Sequence, residues 1–228
     1  MVTVAYAFYA GIHTLLLVLT IQLYLRDRRW IILGLAASIF TLVYDNSIIA
    51  VGSFIGKGDL LMGINFMRFV LHIITTPVLC FVGLAMARSA GISWAATKRA
   101  SVSTWVVALF ALAWLIYIYL VLLNLVPKEE AGTLRYANPV LPGPPLGEIT
   151  VMTSLLVFGA AIAIKTRWPW LLLGTIGIFI TAGLGAKIGV ISNFGEVLLI
   201  AGLFVSARKF LSTTPAQVQV PQYGSRPV

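Results

Sequence analysis

An all-α bundle of seven membrane-spanning helices, N-terminus extracytoplasmic and C-terminus cytoplasmic, is what this sequence predicts, on three observations. The chain is 60% hydrophobic and 10% charged, with a mean hydropathy of +0.98, whereas soluble domains are roughly 45–50% apolar and about 25% charged. Its apolar residues fall into runs near the ~20 needed to cross a hydrocarbon core of about 30 Å. Its basic residues collect in alternate connections between those runs, as cytoplasmic loops do under the positive-inside rule.

The runs cover approximately 3–25, 30–54, 61–86, 101–126, 148–164, 170–190 and 192–207. The first has no basic stretch before it and RDRR after it, so it reads as a retained span and not as a cleaved leader. The fifth and seventh are short, and the sixth and seventh nearly touch. A six-span chain with a re-entrant sixth or seventh piece is therefore the rival topology. Orientation follows from Arg26, Arg28, Arg29, Arg88, Lys98, Arg99, Lys165, Arg167, Arg208, Lys209 and Arg226, which share one side; the opposite loops hold Lys57, Lys128 and Arg135. That distribution assigns the net charge of +9 to membrane topology and excludes a nucleic-acid role.

Residues 1–211 read as a single bundle. The connection 127–147, PKEEAGTLRYANPVLPGPPLG, is a long external proline-rich loop, of a length more often functional than a mere connector. The tail 212–228 is polar and aperiodic, which predicts cytoplasmic disorder. Cys80 is the only cysteine, which excludes an intrachain disulfide and a cysteine metal cluster. Gly52/Gly56 and Gly185/Gly189 have the GxxxG spacing that lets helix backbones approach in lipid, within the bundle or in an oligomer. The expected location is a plasma, inner or endomembrane, multi-pass.

Ionisable groups inside lipid are costly and are kept where they pair or line a cavity. By helical rise Asp45 lies roughly 22 Å along span two, Arg68 about 10 Å and His72 about 16 Å into span three, and His13 about 15 Å into span one. Glu148 opens span five; Lys187 ends span six; Asn193 and Glu196 begin span seven. All of these fall in the extracytoplasmic half. Asn65, Arg68, His72 and Thr75 or Thr76 follow helical intervals and share a face, as do Ser38, Thr41, Asp45 and Gly52, and Tyr6, Tyr9, His13 and Thr20. Polar stripes of this kind face a bundle interior. The expectation is an outward-facing intramembrane pocket of near-neutral charge.

Two carboxyls and an imidazole suit acid–base work, with Asp45, His72 and Glu196 as catalytic candidates. Arg68 and Lys187 would take a phosphate or carboxylate head group, and Asn46, Asn65, Asn193, Tyr44, His13 and Glu148 complete the substrate-binding candidates. Tyr6, Tyr9, Phe66 and Phe69 suit a hydrophobic ligand, a membrane lipid or another hydrophobic small molecule. The expected function is an intramembrane enzyme on a lipid or isoprenoid, of cyclase, isomerase, lyase or hydrolase type, with the external loop as lid. No GxSxG motif signals covalent catalysis. In span count, and in carrying an acid on its second and its seventh span, Asp45 and Glu196, the chain resembles the membrane-bound terpene cyclases of meroterpenoid pathways. It departs from them where VYDNS replaces that family's tryptophan–glutamate context.

The alternative is a small transporter or proton- or ion-conducting protein using the same cluster. INFMRFVLHI and SNFGEVLLI echo each other in spans of like orientation, a layout similar to three-plus-one-plus-three transporters. Against it, the inner half holds no ionisable residue to continue a path. No cofactor and no metal is expected; haem b between His13 and His72 is the lesser option.

Overall fold

The computed structural model describes residues 2–139, 144–185 and 189–212. Among the described residues the protein is all-helical apart from one hairpin: α1 (Val2–Asp27), α2 (Trp30–Ile55), α3 (Asp59–Thr75), α4 (Val78–Ser89), α5 (Lys98–Ile116), β1 (Val126–Glu130), β2 (Thr133–Ala137), α6 (Leu146–Thr166), α7 (Trp170–Gly185) and α8 (Gly189–Phe210). Six helical segments, with α3 and α4 counted as one, are long and apolar enough to cross a membrane. The protein is thus a multi-pass membrane bundle. The sixth expected span, α7, has only 16 residues, about 24 Å at helical rise. The last run, expected to be short, is instead a full helix of 22 residues.

Local sequence explains the elements. Side chains such as Val4, Phe8, Phe54, Val106 and Ile164 stay exposed, which fits a surrounding solvent as apolar as the core. The third span breaks at Pro77, which lacks an N–H and so leaves the Ile73 carbonyl without its helical donor. Around that break the Ser38 hydroxyl donates to the Thr75 carbonyl at 3.1 Å, and the Thr41 and Thr75 hydroxyls meet at 3.0 Å. Hydroxyls at a broken transmembrane turn stabilise it in just this way. The fifth helix ends in a π-helical turn, Tyr117–Val121, closed by the Leu122 amide on the Tyr117 carbonyl at 2.9 Å.

The hairpin lies within the expected external loop. Val126 pairs with Ala137 and Glu130 with Thr133 across a two-residue turn. That turn, Ala131 and Gly132, has φ of +48° and +86°, the twist a two-residue hairpin requires. Leu134 and Tyr136 pack on Leu61 of α3. A Cβ on Gly52 would stand 1.9 Å from the Leu134 carbonyl oxygen, so only glycine lets β2 lie on α2. Gly52 is thereby covered by the hairpin, while Gly185 at the end of α7 lies against α8, where a Cβ would stand 2.7 Å from the Ser192 nitrogen. The same two helices approach closely at their other ends, where a Cβ on Gly202 of α8 would meet the Trp170 carbonyl of α7 at 2.5 Å. Residues 140–143 of the loop, Lys187, and the tail from 213 lie outside the described residues.

One end of the bundle bears Arg26–Arg29, Arg88–Arg99, Lys165–Arg167 and Arg208–Lys209 around an apolar core. Ile32, Leu35, Val82, Ile162 and Leu203 are each fully buried there. The hairpin lies at the other end, and between hairpin and core the helices part.

Candidate functional site

A cavity of about 450 Å³ opens between α2, α3, α6, α7, α8 and the π-turn after α5. This lies within the 300–1,000 Å³ of ordinary small-molecule sites. Ser38, Thr41, Thr75 and Thr76, gathered at the Pro77 break, line its deep side; Tyr119, Pro145, Glu148 and Ser192 line the shallow side nearer the hairpin.

Of the residues expected at a site, Asp45, Arg68, His72, Glu148, Asn193 and Glu196 all line this one cavity. They come from four helices far apart in the chain; the polar stripes of the second and third runs meet here, and that of the first run does not line the cavity. Arg68 Nε donates to Asp45 Oδ1 at 2.7 Å, and His72 Nε2 lies 3.7 Å from the same oxygen. Both partners of the Arg68–Asp45 pair are largely shielded, with side-chain exposures of 11% and 7%. Glu196 is differently placed. Its Oε2 accepts from Asn193 Nδ2 at 3.3 Å, and that amide also reaches Asn46 Oδ1 at 3.3 Å. Among the described residues no ion pair reaches Glu196, so the two acids share a cavity but not a kind of partner.

Several expected residues stand behind the wall instead of on it. Asn65 is wholly buried; its Oδ1 accepts from Arg68 Nη1 at 2.8 Å and from the Tyr136 backbone amide at 3.2 Å. Asn46 is also wholly buried, donating to the Leu42 carbonyl at 2.9 Å. Tyr44 donates to the Ile64 carbonyl at 3.0 Å, and so ties α2 to α3. His13 is buried beside the Glu196 backbone and does not line the cavity with His72. Equal depth on two helices had not implied a shared chamber. Lys187 lies outside the described residues.

Tyr119 was missed by sequence reasoning. It lines the cavity from the π-turn and donates through Oη to Glu148 Oε1 at 2.6 Å, with Phe69 against its ring at 5.2 Å. The YIYLV run carries no polar stripe, but Tyr119 lies four residues after buried Leu115 and continues the inward face of α5. Such π-turns are frequent at functional sites. Apolar Leu42, Leu79, Met152, Ile178, Leu199 and Ile200 supply much of the remaining lining. Among the described residues no three His, Cys, Asp or Glu side chains gather as metal ligands.

Outside the membrane-spanning helices, Glu130 of β1 joins Lys128 at 3.0 Å and Arg135 at 2.8 Å, and Arg135 also donates to Tyr6 Oη at 3.3 Å. The hydrogen bond from Lys128 holds the Glu130 carboxyl below its ordinary value, with Arg135 and the Gly189 backbone acting in the same direction against partial burial. Comparison with family models, curated proteins and solved structures finds no match for the chain.

Proposed function

We propose that this protein is an integral membrane enzyme that performs acid–base chemistry on a lipid or isoprenoid held in the intramembrane cavity. One observation carries the reading: two carboxyls of unlike environment, Asp45 ion-paired and Glu196 held by amides alone, face one apolar-walled cavity beside an imidazole. Carboxyl pairs with divergent surroundings are how a single site divides acid from base. Glu196 acts as the proton donor, Asp45 with Arg68 as the fixed charge that stabilises a developing cation, and His72 as the shuttle. The basic end faces the cytoplasm under the positive-inside rule. The N-terminus and hairpin are then extracytoplasmic, and substrate enters from that side. Against a transport role stands the basic half, where Ile32, Leu35, Val82, Ile162 and Leu203 are fully buried in one apolar cluster.

The test is a comparison of extracted lipids from cells producing wild type, Glu196→Gln, or neither. A product present only with wild type, and reduced at least about 100-fold by the substitution at equal protein level, is expected. Identical lipid profiles in all three would remove the proposal, and proton flux through wild-type proteoliposomes would replace it with conduction.

A further inference from the structure

The cavity is built the wrong way round for an anionic ligand. Among the described residues three carboxyls line it, Asp45, Glu148 and Glu196, against one guanidinium, Arg68, and the imidazole of His72. Arg68 is already engaged: its charge meets Asp45 at 2.7 Å, and Nη1 donates to Asn65 at 2.8 Å. A phosphate drawn to its remaining N–H donors would stand beside the Asp45 carboxylate and approach two more. Like charges brought together in a low-dielectric chamber repel strongly.

The shallow side offers the opposite chemistry. Glu148 receives the Tyr119 hydroxyl on Oε1 at 2.6 Å, and no ion pair reaches its carboxylate among the described residues. A carboxylate has about four acceptor positions, and one hydrogen bond leaves the others for a ligand. Tyr119 Oη, with its proton directed to Glu148, keeps its own lone pairs as acceptors. This pair stands at the outer ends of two helices, Tyr119 in the turn that closes α5 and Glu148 in the first turn of α6, and apolar side chains fill much of the wall. That layout takes an amphiphile with its polar end shallow.

We infer that the cavity receives an amphiphile whose polar end is a hydrogen-bond donor, a hydroxyl or an ammonium, bound at Glu148 and Tyr119, and that it discriminates against phosphorylated amphiphiles. This rests on the proposed function for the cavity's being a substrate site, and it narrows the substrate class.

Native mass spectrometry of the purified full-length protein tests it with three probes: farnesol, farnesylamine and farnesyl phosphate. The alcohol and the amine are expected to bind, and the phosphate at least about tenfold more weakly. Glu148→Gln should weaken the amine about tenfold or more, because a charge-assisted bond is lost, and the alcohol less; Tyr119→Phe should weaken the alcohol. The inference is overturned if the phosphate binds as tightly as the others, if none binds wild type, or if Glu148→Gln leaves all three unchanged. Binding needs no turnover, so the two claims fail separately. Alcohol or amine bound without conversion supports the ligand class and counts against the enzyme. Conversion of the phosphate does the reverse.

Discussion

Removing Arg68 isolates the energetics of the cavity wall. Its Nε lies 2.7 Å from Asp45 Oδ1, with side-chain exposures of 11% and 7%. At such burial the loss of one partner leaves an uncompensated charge, and the cost is about 3–5 kcal/mol. Arg68→Leu also deprives Asn65 Oδ1 of one of its two donors, which places the single variant towards the upper end of that range. Asp45→Leu strands the guanidinium at similar cost. The double variant removes both charges and should be destabilised by at least about 2 kcal/mol less than the sum of the singles, since pairs in contact couple by about 0.5–3 kcal/mol. Equilibrium unfolding of the four proteins in mixed micelles by increasing sodium dodecyl sulfate completes the cycle. Additivity within about 0.5 kcal/mol would refute the buried pair.

Gly52→Ala drives a methyl into the Leu134 carbonyl, 1.9 Å away; overpacking of this kind costs about 1–3 kcal/mol, and limited proteolysis at Ala131–Gly132 should quicken while the helices stay protected. Gly202→Val should part α7 from α8, because even a Cβ meets the Trp170 carbonyl at 2.5 Å; a melting-temperature loss exceeding that of Gly11→Ala, where a Cβ meets nothing within 4 Å, is the expected result. The hairpin should also depend on pH. Because the folded carboxyl of Glu130 titrates below its ordinary 4.5, its contribution is complete above that value and is lost as pH falls through the lower folded one. Exchange protection of the β2 amides should therefore be level from about pH 5 to 8, drop in more acidic solution, and lose that step in Glu130→Gln.

Much of the site could be read from residue spacing alone. Arg68 and His72 are four apart, Thr41 and Asp45 likewise, and each pair must share a helix face. Lipid leaves such faces no choice but the interior. Spacing along one helix says nothing about its neighbours, however. It could not distinguish Asp45, on the cavity wall, from Asn46, buried one residue later. Nor could depth alone tell that His13 and His72 line different spaces. The hairpin was hidden for another reason. Val126–Glu130 is rich in Lys and Glu, poor strand formers, and its Ala131–Gly132 turn lacks the usual Asn or Asp. What makes it a strand is the surface of α2 and α3 beneath it, and Gly52 in particular, whose role depends on residues more than 80 positions later. Tyr119 continues the face of Ala111 and Leu115, but in a run so uniformly apolar that no period marks that face as inward.

The oxygen of Asn65 has two lone pairs, and the fold assigns one to the hairpin backbone and one to the guanidinium. Surface and interior are therefore wired through a single atom. Whatever peels β2 from the bundle, be it a docking protein, a thinner bilayer or an arriving lipid, also frees a lone pair that Arg68 can compete for, and the charge balance deep in the wall shifts with a movement that begins at the membrane face.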